Sequence, residues 1–222
     1  MIKFTDISDR TESAEQHSLS ENKEIFGASS LSDSEVKSFW NDIFSENKSN
    51  EFSYEEVFDR YESEFKFDFD AKEASIAEVL SMFEPEKWNS LGLIEKAEVI
   101  VKFIDILCEK LGIDKCPKLA FFEDEAKHCG FYDSSADSIN LNTNILNDPK
   151  EVADTIAHES FHAYQNYRAD KGETYVDELY KYNFDNYVSP KYDDRGHCVN
   201  IIEYQNQYVE AEARAFAKLF EI

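Results

Sequence analysis

The 222-residue chain is poor in basic side chains: 23 Lys and Arg stand against 47 Asp and Glu, for a formal net charge of −24. Phosphate backbones and anionic bilayers are bound by basic surfaces, so nucleic acid and membranes are excluded as expected partners. The imbalance is not gathered in one tail, since residues 1–84 hold 21 acidic and 8 basic side chains. Long apolar runs are missing too, and with them any transmembrane helix that a sequence can announce. The start, MIKFTDISDRTESAEQ, lacks the basic-then-apolar order of a signal peptide. Cytoplasmic synthesis is the expectation, although leaderless export leaves the same traces. The four cysteines (Cys108, Cys116, Cys129, Cys198) form no C-x-x-C and no dense framework, so reduced thiols are expected. His128-Cys129 and His197-Cys198 do not suggest a second zinc site, because adjacent residues chelate one ion poorly.

What is present argues for a folded protein: 42% hydrophobic and 14% aromatic residues. Residues 1–30 are rich in Ser, Thr, Glu, Asp and Asn and read as a flexible acidic arm. Residues 31–84 read as a helical extension. Val36, Phe39, Trp40, Ile43 and Phe44 form one stripe, Val57, Phe58, Tyr61 and Phe65 another, and Ala74 to Phe83 a further helix. The alternating run Phe65 to Asp70 has the pattern of a short strand. Pro85 marks the expected boundary with a second unit, residues 85–222. There a long helix runs to Leu111 and stops at Gly112, Leu119–Glu123 reads as a buried strand, and Cys129–Asp133 with Ser138–Asn142 reads as a hairpin. That order is α+β.

The chemistry gathers in the next stretch. Asp148 suits an N-cap, Pro149 the first helical position, and Glu151 completes a capping-box pattern. On the helix that follows, His158 and His162 are one turn apart on one face, so both imidazoles can reach one metal ion. Glu159 stands where its carboxylate can reach a water held by that ion. Together they spell H-E-x-x-H, the zinc-peptidase signature. Zinc bound by two imidazoles usually takes a third protein ligand and leaves one position open. Glu210 and Glu212 are the candidates, and a helix points residues two apart in different directions, so only one can serve. Residues 166–200, rich in Tyr, Asp and Asn, read as a long loop beside the metal, a substrate wall or lid. His197 within it and Tyr204 beyond it are candidate donors to the oxyanion of a tetrahedral intermediate.

The run Thr155 to Gln165, with the later run Tyr204 to Ala217, resembles the zincin metallopeptidases of the gluzincin type. It also looks like the short metallopeptidase domains of bacterial and phage proteins, some of them toxin or effector domains. The resemblance covers residues 86–222 and implies a zincin-like catalytic domain: helix, small sheet, H-E-x-x-H helix and Glu-ligand helix. In the family pattern the ligand Glu stands three residues before a small Ala, here Ala213, which implies Glu210 as third ligand to one Zn²⁺. Some gluzincins place an Asp one turn after that Glu to support a metal-binding His; Arg214 stands there, so such a support must come from elsewhere. The implied activity is zinc-dependent hydrolysis of peptide bonds, with Glu159 taking a proton from the attacking water and delivering it to the leaving amine. The expected partner is a protein or peptide, and the acidic surface favours a basic one. The competing expectation is a non-catalytic interaction or effector module with a structural or decayed zinc site, against which an intact Glu159 speaks.

Overall fold

A computed structural model describes residues 67, 70, 73–124, 128–193, 195 and 197–220. The arm expected over residues 1–30 and both aromatic stripes lie outside the described residues, as does most of the run Phe65 to Asp70. The architecture is α+β, as expected: helices surround a three-stranded mixed sheet.

Helix α1 (Ala74–Leu80) continues as a 3₁₀ turn, Ser81–Phe83, into a short α2 (Pro85–Trp88) that opens on its proline. Helix α3 (Leu93–Leu111) buries Ile100, Phe103, Ile104, Leu107, Cys108 and Leu111, a stripe of helical period. Gly92 and Glu95 cap its start. Gly112 ends it in the left-handed region (φ 67°), where a residue without Cβ is unstrained. Among the described residues the core runs unbroken across Pro85, since Ile76, Val79 and Phe83 are buried with Trp88 and Phe103. The ring of Phe83 stacks on Trp88 at 4.9 Å. The indole N–H of Trp88 and the ammonium of the buried Lys96 both donate to the carbonyl of Leu146, which satisfies two polar groups inside the core.

Strands β1 (Lys118–Phe122), β2 (Gly130–Asp133) and β3 (Ser138–Asn142) lie in the order β1-β3-β2. β3 is parallel to β1 and antiparallel to β2, and the β2–β3 hairpin is the one its alternation predicts. Only β3 is buried along its length. β1, expected to be a buried strand, is half exposed, with Phe121 39% accessible, because it pairs on one side only.

The motif helix, α4 (Pro149–Lys171), is the axis of the fold. It is flanked by α3, by β2 and β3, by α5 (Tyr175–Asp185) and by α7 (Tyr208–Ala217). Asp148 Oδ1 accepts from the backbone N–H groups of Lys150 and Glu151, so the predicted N-cap forms. The capping box does not: the Glu151 carboxylate accepts from the Cys129 thiol at 2.9 Å instead. Neighbours on several sides leave α4 mostly buried from Thr155 to Gln165, so charge on that stretch must be partnered or functional.

The long loop expected over residues 166–200 is a second correction. Residues 166–171 complete α4, and Thr174 and Asp177 form a capping box that starts α5. Arg168 ties the two helices, donating to Asp177 at 2.6 Å and to the hydroxyl of Tyr164 at 2.7 Å. Among the described residues, what lies outside helices is 186–193, 195 and 197–200, where Tyr192 and Cys198 form a single antiparallel bridge, and α6 (Ile201–Gln205) follows.

Candidate metal centre and cleft

Helices α4 and α7 cross where Phe161 and Phe216 meet at 4.6 Å, and the small Ala211, Ala213 and Ala217 keep α7 close to its neighbours. This approach sets Glu210, 1% accessible, opposite the imidazoles of His158 and His162. The two Nε2 atoms are 3.0 Å apart, and each is 3.5 Å from an oxygen of Glu210: Oε2 for His158 and Oε1 for His162. The two 3.5 Å spacings match a tetrahedral ion, since ligands at about 2.0–2.2 Å from zinc lie roughly 3.3–3.6 Å from one another, and the two imidazole nitrogens stand slightly closer than that. Among the described residues this is the one group of three such side chains that could hold a metal. Glu210 Oε2 is also a buried oxygen without a hydrogen-bond donor among the described residues, the signature of an acceptor intended for something else.

Glu212 turns the other way. Fully buried, it accepts from the Tyr180 hydroxyl at 2.7 Å and from Gln165 Nε2 at 3.1 Å. Gln165 Nε2 also donates to the carbonyl of Val209, which fixes the amide and aims its Oε1 at His162 Nδ1, 2.8 Å away. That oxygen can only accept, so in the neutral ring Nδ1 carries the proton and the lone pair of Nε2 points into the cluster. The support that Arg214 cannot give thus comes from α4 itself and from the losing candidate for third ligand. Arg214 instead places its guanidinium 3.7 Å from Glu210 Oε2, a cation beside the ligand carboxylate.

Electrostatics follow the geometry. Burial disfavours charge on His162, yet the Glu210 carboxylate outweighs it and lifts the imidazole to about 9. Burial likewise opposes the charge on Glu210, and the two imidazoles overcome it, holding the carboxyl well below its usual range. Glu212 is pushed up to about 7 by burial, although its hydrogen-bond donors pull the other way.

Glu159 is 8% accessible and lies beside the triad at the wall of a cleft of about 680 Å³ that His162, Glu210 and Tyr204 also line. Its Oε2 accepts from the backbone N–H of Tyr132 at 2.9 Å. β2 is an edge strand, so this N–H points away from β3 and toward α4. Gly130 allows the close approach: a Cβ there would meet Thr155 Cγ2 at 2.7 Å and the carbonyl oxygen of Asn140 at 2.8 Å.

The other candidates divide. Tyr204 lines the cleft, whereas His197 does not: its side chain is 69% accessible and pairs with Asp193 at 3.2 Å. Tyr187, unassigned from sequence, donates its hydroxyl to Glu210 Oε1 at 2.5 Å, with its ring edge-on to Tyr204 at 6.2 Å. Burial and the nearby Glu210 carboxylate raise both phenols, so both remain protonated donors. A Tyr-rich segment near a metal is the only sequence signal for Tyr187, and it does not single out one tyrosine. Comparison with protein-family profiles, with curated proteins and with solved structures found no match.

Proposed function

We propose that the chain is a zinc-dependent peptidase whose metal is held by His158, His162 and Glu210. The observation that carries this reading is the convergence of those three side chains, two of which, His162 and Glu210, line one cleft together with Glu159. Neutral imidazoles and one carboxylate suit zinc better than the harder Mg²⁺ or Ca²⁺. When bound, the ion supplies Lewis acidity, polarising the substrate carbonyl and acidifying a water. The protein's own residues do the rest. Glu159, fixed by the Tyr132 N–H, takes the proton of the attacking water and passes it to the departing amine. Tyr204 presents a protonated hydroxyl to the cleft, where it offsets negative charge that develops on the carbonyl oxygen, while Tyr187 spends its own hydroxyl proton on holding Glu210. Gln165 holds His162 in the tautomer that ligates. The fit with the zincin type is part of this proposal, as is a protein or peptide substrate.

Glu159→Gln keeps the shape and removes the base. Expected are about one zinc per chain by elemental analysis and hydrolysis lower by roughly three or more orders of magnitude. His162→Ala, by contrast, should lose the metal. A Glu159→Gln protein that cuts peptides at the wild-type rate, or wild-type protein without bound transition metal, ends the proposal.

A further inference from the structure

The metal cluster does not sit at a closed end. A second cavity of about 290 Å³ adjoins the main cleft, and the two share Tyr132, Ser134 and Asn166 as lining. The main cleft has an apolar wall, the aromatic Phe122, Phe131 and Phe184 with Pro190, and Phe122 and Phe131 touch at 5.4 Å. Beyond Asn166 the second cavity continues past Ile113, Pro117 and Tyr167. An enzyme that trims carboxyl ends needs a cation to hold the terminal carboxylate. No Lys or Arg lines the main cleft among the described residues, and Lys115, in the second cavity, is already paired with Asp137.

Asn166 stands where the cavities join. It is half buried, and its side-chain amide has no hydrogen-bond partner among the described residues. On α4 it follows the ligand His162 by four residues, about 6 Å along the axis. Two residues of an extended peptide span roughly 6.6 Å. The amide therefore lies one strand repeat from the metal cluster, and it offers the donors and acceptor that a peptide backbone complements.

We infer that the site cuts interior bonds of an extended polypeptide, an endopeptidase rather than a chain-end enzyme. In this arrangement Asn166 is a positioning residue that grips the substrate backbone about two residues from the scissile bond. The aromatic wall takes a large apolar side chain within the main cleft. This inference rests on the peptidase reading above, and it sets the substrate class by the shape of the cleft rather than by the acidic surface.

The test uses the zinc-loaded full chain with N-acetylated, C-amidated, internally quenched octapeptides in which Phe is moved through the central positions. Single amino-acid arylamides and free dipeptides serve as chain-end substrates. Expected is cleavage of the blocked octapeptides next to the Phe, with chain-end substrates at least about a hundredfold slower in kcat/KM. Asn166→Ala and the similarly sized Asn166→Leu should each raise KM on octapeptides about tenfold. Their kcat, zinc content and melting temperature should stay near wild type. Arylamides or dipeptides cut faster than blocked octapeptides would overturn the endopeptidase inference and leave the peptidase reading standing. A wild-type KM in Asn166→Leu would remove Asn166 from its role. Failure of the zinc-loaded protein to cut any of these substrates would remove both the reading and the inference.

Discussion

Two sides of the cleft hold their functional groups in different ways. On one side, α4, α5 and α7 are joined by buried rings and largely enclosed polar links: Phe161 on Phe216, Arg168 on Asp177, and Gln165 on Glu212. Phe67 adds edge-on contacts to Phe161 and Phe216 at 5.6 and 5.5 Å. On the other side, residues 187–193 and 197–200 are held by amide links that are part-buried or exposed. Gln207 exchanges two hydrogen bonds with the backbone of Val188, and Asn200 bonds to Ser189 and Lys191. Tyr192 and Val199 there remain 45% and 64% accessible. Burial of a large side chain contributes about 1.5–3 kcal/mol, whereas a solvent-shared hydrogen bond contributes about 1. The ligand triad therefore belongs to the stiff side, and Tyr187 reaches it from the side that can give way.

The sharpest test of the stiff side is Asp177. Its carboxylate, 1% accessible, takes the Arg168 guanidinium and the backbone N–H groups of Glu173 and Thr174. Asp177→Ala leaves a mostly buried cation unpaired, and a loss of about 3–5 kcal/mol is expected in chemical denaturation. A loss below about 1 kcal/mol would erase the contrast between the two sides.

Next in size is the link to the metal. Gln165→Leu removes the acceptor at His162 Nδ1 while keeping bulk, and zinc affinity is expected to fall about 10–100-fold in competition with a chelator dye. An affinity within about twofold of wild type would mean that Gln165 supplies packing and not tautomer control.

A smaller effect concerns pH. In metal-free protein the folded-state pKa of His162 is raised from 6.5 to about 9, so its charged pairing with Glu210 stabilises fully below about 6.5. That contribution is lost as pH rises through about 9. Melting temperature should fall across this window without metal, and saturating zinc should flatten the slope. A metal-free curve that is flat or rises from pH 6.5 to 9 contradicts the assignment.

The smallest effect belongs to the yielding side. His197→Ala removes only the exposed pair with Asp193, so neither the melting temperature nor peptide hydrolysis should change measurably. A tenfold loss of rate would place His197 in the site after all.

Sequence alone settled the local features of this protein, because the forces behind them act within one or two turns. Asp148 and Pro149 start α4 whatever surrounds it, Gly112 stops α3, and a spacing of four puts His158 and His162 on one face. The α5 start was equally local, written in Thr174 and Asp177, but a Tyr- and Asn-rich composition hid it as loop. Tertiary structure decided what depends on distant partners. β1 is half exposed because β2 and β1 both lie at edges of the sheet. Glu210 rather than Glu212 faces the imidazoles because α7 crosses α4 at Phe161 and Phe216 with one particular rotation. Gln165 meets Val209 across 44 residues, and Tyr187 meets Glu210 across 23. Periodicity cannot report such pairings, since it records which face of a helix is buried and not what it is buried against.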